Sequence, residues 1–113
     1  MHEYPITQSI INISVEEAKK HNSKKINEIR LKIGELTGLM PESLQIYFDM
    51  ISVGTLAEGA KLLIIKVPVK FTCQKCLIES EVKGGLYKCP NCQSIDIKIT
   101  SGNEYMIESL EVE

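Results

Sequence analysis

Apolar residues Ile6, Ile10, Ile11, Val15 and Ala18 recur at spacings of three and four, which predicts an amphipathic helix over residues 5–22. Glu16 and Lys20 form an i,i+4 pair on its polar face, and Asn22-Ser23 ends the element. From Lys25 to Ile33 the period falls to two: Ile29, Leu31 and Ile33 alternate with Glu28, Arg30 and Lys32, as in a strand with one buried face. A turn, Gly34-Glu35-Leu36-Thr37-Gly38, leads to a second helix. Pro41 suits its first position, Glu42 its positive end and Gly54 its C-terminal cap, with Leu44, Tyr47, Phe48 and Ile51 as the apolar face.

Leu62 to Val67 is a nearly continuous apolar run, as expected of a strand covered on most of both faces, and Pro68 ends it. Two more strand-like runs, Ile95–Thr100 and Tyr105–Val112, follow a cysteine-containing segment, with Ser101-Gly102-Asn103 as a hairpin connection. The expected fold is α+β, two helices packed on a small, mostly antiparallel sheet. A module over residues 70–94 is inserted between strands of that sheet. Residues 1–69 with 95–113 form the main domain.

The inserted module carries the clearest chemistry. Cys73-Gln74-Lys75-Cys76 and Cys89-Pro90-Asn91-Cys92 are two Cys-x-x-Cys knuckles separated by twelve residues, with Gly84-Gly85 turning the chain between them. That spacing brings four thiolates to the corners of one tetrahedron, the coordination of a structural Zn²⁺. Two disulfides or an iron site use the same ligands. No signal-peptide pattern precedes them, so a cytoplasmic setting with reduced thiols is expected, which favours a metal over disulfides.

Composition narrows the function classes. Of 113 residues 43% are hydrophobic and 25% charged, the balance of a soluble globular protein, and no apolar run is long enough to span a bilayer. Only 5% are aromatic and Trp is absent, so the core must be aliphatic. Such a small core gains from a bound metal. The net charge of −2 and pI of about 5.7 argue against nucleic acid as a partner. No Ser/His/Asp set or phosphate loop is visible, and four thiolates close a zinc shell that a catalytic zinc would leave open, so an enzyme is not expected.

A second chelating group stands at the start of the chain. The amine of Met1 with the backbone amide and imidazole of His2 can fill three positions of a plane around one ion, leaving the fourth to the amide of Glu3, a side chain or a partner. Deprotonated amides favour square-planar Ni(II) or Cu(II) over tetrahedral Zn(II). His2 also reads as an ordinary residue at a frayed terminus. His21 reads as an imidazole at a helix C-terminus, and Glu35 as a solvated turn residue.

Met1-His2-Glu3, Ile33-Gly34-Glu35-Leu36, Pro41-Glu42-Ser43-Leu44, Gly54-Thr55 and Glu58-Gly59-Ala60 occur in that order. The paired knuckles follow, then Ser101-Gly102-Asn103-Glu104 and Ile107–Val112. Taken together, the chain resembles the HypA/HybF family of hydrogenase nickel-insertion proteins over essentially its full length. The resemblance implies a nickel metallochaperone for [NiFe]-hydrogenase maturation. His2 would be the nickel ligand, with the Met1 amine and Glu3 amide as co-ligands, and Cys73, Cys76, Cys89 and Cys92 the zinc ligands. A GTPase accessory protein and the hydrogenase large-subunit precursor would be the partners. Pro5-Ile6-Thr7 departs from the family pattern just after the motif. The competing reading is a zinc-ribbon module for protein or nucleic-acid interaction.

Overall fold

The computed structural model describes residues 3–113, and the predicted nickel ligand His2, with Met1, lies outside them. The described chain contains α1 (Glu3–Lys20), β1 (Ile26–Gly34), α2 (Pro41–Ile51), β2 (Lys61–Val67), β3 (Lys70–Cys73), β4 (Glu79–Glu81), β5 (Ile97–Ser101) and β6 (Tyr105–Val112). It divides into two compact units. One holds the chain through Lys32, Leu39–Ile65 and Met106–Glu113, and the other holds Ile33–Gly38 and Lys66–Tyr105.

In the larger unit a three-stranded sheet runs in the order β2-β1-β6. The chain leaves this sheet after β2 and rejoins it in β6, with the ribbon strands between. Gly34 N–H donates to the Glu104 carbonyl at one end of the β1–β6 pairing, and Glu113 N–H donates to the Lys25 carbonyl at the other, so the two strands are antiparallel. Ile29, Leu31 and Ile33 are buried, as the alternation predicts. Their neighbours on the opposite face pair among themselves: Arg30 with Glu28 at 2.7 Å and Lys32 with Glu108 at 3.3 Å. β2 differs from expectation. Only Leu62 is buried along it, because β2 is an edge strand rather than a central one.

The helices pack against each other in the same unit. Tyr4 and Tyr47 meet edge to face at 5.4 Å. The Met40 N–H donates to the carboxylate of Glu3 at 3.3 Å. The buried stripe of α1 is Glu3, Thr7, Ile10, Ile11, Ser14 and Ala18, a face that includes two hydroxyls where the apolar pattern pointed to Ile6 and Val15. Thr7 Oγ1 satisfies itself on the Glu3 carbonyl at 2.6 Å, whereas buried Ser14 Oγ has no partner among the described residues. Asn22, in the left-handed region at φ 56°, closes the helix as Asn22-Ser23 suggested. On α2, Leu44 and Phe48 are fully buried, while Tyr47 and Ile51 are half-buried at the margin of the core.

The smaller unit holds a second sheet in the order β4-β3-β5. β3 pairs antiparallel with β4 (Phe71 opposite Ser80) and with β5 (Phe71 opposite Ile99, Cys73 opposite Ile97). Ile97–Ser101 is therefore a ribbon strand, where the sequence pattern grouped it with the main domain. Likewise Ser101-Gly102-Asn103 joins strands of two different sheets rather than forming a hairpin. Period-two alternation identifies a strand but carries no information about which sheet receives it.

Within this unit two stretches of backbone cross at Gly34 and Gly102. Leu36 N–H donates to the Gly102 carbonyl at 2.7 Å, and Gly102 N–H donates to Glu104 Oε1 at 2.7 Å. A Cβ on Gly34 would lie 2.1 Å from the Gly102 carbonyl oxygen. Gly34 has an ordinary extended φ of −75°, so contact rather than torsion requires glycine there. Gly34→Ala is expected to cost about 1–3 kcal/mol, the range of forced overpacking, read as a lower urea midpoint with the m-value unchanged.

Candidate metal centre

Each knuckle is built by the same local hydrogen bonds. After Cys73, Leu77 N–H returns to the Cys73 carbonyl at 2.9 Å, and Cys73 N–H donates to the Ile78 carbonyl at 3.0 Å. After Cys89, Gln93 N–H returns to the Cys89 carbonyl at 2.9 Å, and Cys89 N–H donates to the Ser94 carbonyl at 2.9 Å. Both turns need a left-handed residue at the same place, and Leu77 (φ 62°) and Gln93 (φ 64°) supply it. A side chain at positive φ is unusual for leucine, and it marks how strictly the turn dictates the backbone. The first cysteine of each knuckle, Cys73 or Cys89, is fully buried, while Cys76 is half-buried and Cys92 is exposed.

The four Sγ atoms all lie within 4.8 Å of one another. Cys73 and Cys92 sulfurs are 3.6 Å apart, and those of Cys76 and Cys89 are 3.4 Å apart. A disulfide would need about 2.0 Å, so none is formed. Sulfurs at 2.3 Å from a tetrahedral Zn²⁺ are separated by about 3.8 Å, close to what the cluster shows. The donor set and its spacing thus fit a four-thiolate metal.

Electrostatics inside the cluster are uneven. The N–H of Cys76 points at the Cys73 sulfur from 3.5 Å and, against some desolvation, holds that thiol down to about 6. The N–H groups of Cys92 and Asn91 likewise lower Cys89. At Cys92 the Ser94 N–H pulls downward, but Cys73, burial and the other two cysteines outweigh it and push the thiol up to about 11. Several sulfurs so close cannot all be anionic without a cation among them.

Other polar candidates do not join this cluster. His21 is 70% exposed at the end of α1, with Glu17 Oε1 3.4 Å from its Nε2. Glu35 is exposed on a short 3-10 turn, Glu35–Thr37. Glu3 is buried at the start of α1. Cysteine spacing alone did not expose the role of Leu77 and Gln93. Their place just after the second cysteine of each knuckle was the available signal.

Two helices, small antiparallel sheets and a ribbon with four convergent sulfurs define a small protein of α+β class with a four-cysteine metal site. The profile described as hydrogenase/urease nickel incorporation, metallochaperone, hypA, matches residues 1–112. A hydrogenase maturation factor HypA of Caldanaerobacter subterraneus subsp. tengcongensis is 41% identical over 114 residues, covering 100% of both chains. One from Desulfitobacterium hafniense is 41% identical over 113 residues, covering 100% of this chain and 99% of the relative. The solution structure of the nickel metallochaperone HypA from Helicobacter pylori superposes with a TM-score of 0.70 at 30% identity, covering 99% of this chain and 97% of the other. A second HypA solution structure gives 0.76 at 30% identity, covering 100% and 97%. The chain belongs to the HypA family of nickel-incorporation metallochaperones, which serve hydrogenase maturation.

Because a protonated thiol is not a ligand, metal affinity should fall as pH drops. With Cys73 near 6 and Cys92 near 11, uptake at pH 7 must displace the Cys92 proton, and below pH 6 that of Cys73 as well. Competition with a chromophoric chelator between pH 8 and 5 should show a steadily weaker complex. Cys73→Ser should abolish uptake at pH 7 and strip hydrogen-exchange protection from β3 and β5, leaving β1 protected.

Proposed function

We propose that this protein carries Ni(II) at its N-terminus and hands it on for [NiFe]-hydrogenase maturation, while zinc in the four-cysteine site serves as a permanent staple. The observation that carries the reading is the Met1-His2-Glu3 sequence in a chain matched over residues 1–112 by a nickel-incorporation family. The Met1 amine, the His2 imidazole and the amides of His2 and Glu3 form the planar donor set. A separate cargo site is needed because four thiolates leave a zinc ion no open position for exchange.

Position supports the chelate. Glu3 opens α1, so its amide lies at the helix start rather than in the i→i−4 ladder. Pro5 falls in the first turn, where its missing N–H costs nothing. Zinc bound at Cys73, Cys76, Cys89 and Cys92 would join the two knuckles and balance their negative charge. Nickel would pass to the hydrogenase large-subunit precursor with the help of a GTPase accessory protein. The protein itself would catalyse no bond-making step. Its setting would be the cytoplasm, where thiols stay reduced; none of the described helices is long and apolar enough to cross a membrane.

Titration of the untagged protein with Ni(II) should give about one diamagnetic, planar complex per chain. His2→Ala should abolish that absorption and keep the thiolate-bound metal, and an extension ahead of Met1 should do the same by removing the amine. Planar nickel binding retained in either form would refute the assignment. A colourless protein with zinc by elemental analysis is expected at the cysteines, and a red-brown one would make that site an iron centre.

A further inference from the structure

Helix α2 has two apolar faces. Leu44 and Phe48 fill the core, but Ile46, Met50 and Val53 are 60%, 62% and 64% exposed. Their spacing of four and then three places them on one line, and Ser52 keeps helical angles (φ −72°, ψ −13°), so Val53 stays in phase beyond the last helical turn. Single exposed hydrophobes are ordinary; three in register along one helix form a strip that water solvates poorly. At its N-terminal end the strip opens into a groove of about 500 Å³ between α2 and β2, lined by Pro41, Glu42, Gln45, Ile46, Leu62 and Ile64.

Charge indicates what fits there. The charged side chains of α2 are Glu42 and Asp49, one turn before and one turn after Ile46. Asp49 accepts a hydrogen bond from Gln45 at 2.9 Å, and among the described residues no ion pair reaches either carboxylate. The apolar strip thus has an acidic rim. Two copies of this chain meeting strip to strip would oppose four carboxylates, which disfavours self-association. Strand addition at the neighbouring β2 edge is also disfavoured, since exposed Lys61 and Lys66 lie on that strand and Pro68 follows it. A helix laid along α2 meets neither obstacle.

We propose that Ile46, Met50 and Val53, with the groove at Leu62 and Ile64, form the docking surface for an amphipathic helix of a partner protein. That helix presents Leu, Ile or Met side chains at i, i+4 and i+7 and carries Lys or Arg along its flanks. Such an arrangement seats the partner's apolar face in the groove and its cations beside Glu42 and Asp49. Met50 suits the centre of the strip because an unbranched thioether adapts to the opposing surface. The surface is independent of the nickel assignment.

The test uses the full chain with its four-cysteine site loaded and its methyl groups labelled for NMR. Two synthetic 18-residue helical peptides share one leucine stripe, one with lysine flanks and the other with glutamate flanks. The lysine peptide should shift the methyls of Ile46, Met50, Val53, Leu62 and Ile64, and the glutamate peptide should bind at least about tenfold more weakly, the gap narrowing as salt rises. Met50→Glu should weaken the lysine peptide at least about tenfold with metal content and amide spectrum unchanged; Ile46→Ser replaces it if that spectrum changes broadly. Equal binding of the two peptides, or shifts centred elsewhere, would overturn the proposal. So would a dimer in sedimentation that Met50→Glu converts to monomer, which would make the strip a contact between copies of this chain.

Discussion

Four sulfur atoms confined within 4.8 Å of one another set the terms for the ribbon. Thiolates at that distance repel, and neighbouring N–H groups and sulfurs displace Cys73 downward and Cys92 upward. A divalent metal removes the conflict and converts mutual repulsion into a bond at every corner. The unit has little else to lean on. Besides two of the cysteines, its buried apolar side chains are Ile33, Val69 and Phe71, a small core for a unit of this size.

The larger unit solves its packing differently. It is packed around Ile10, Ile11, Ile26, Ile29, Leu31, Leu44 and Phe48, with Thr7 and Ser14 turned inward along α1. Small hydroxyl residues let helix α1 lie close to its neighbours, and Thr7 returns its proton to its own helix. The chain thus divides labour. Burial of aliphatic surface organises the part that starts at the N-terminus, and coordination chemistry organises the part inserted between β2 and β6.

Features written in short-range spacing were legible in the sequence. The knuckles, the strand over Ile29–Ile33 and the end of α1 at Asn22-Ser23 each depend on neighbours within a few residues, whereas α2 is capped at Ser52 rather than at Gly54. Features that depend on remote partners were not. The run Leu62–Val67 looks like a central strand, and only the order β2-β1-β6 makes it an edge. Ile97–Ser101 alternates well enough for either sheet, and its pairing with β3 settles the matter. The apolar stripe of α1 misled because hydrophobicity alone overlooks Thr7 and Ser14, whose size rather than polarity earned them the inner face. Among the candidate ligands the sulfurs converge, whereas His2 lies outside the described residues.

The likeness of the two knuckles has a consequence for metal binding. Each loop is closed by bonds between residues four or five apart, so the geometry of each pair of sulfurs is set locally. A metal ion would meet two pairs of sulfurs, each spaced by its own turn, Cys73 with Cys76 and Cys89 with Cys92. Only the twelve-residue span between the halves must lose its freedom for the two pairs to meet, a modest entropic toll.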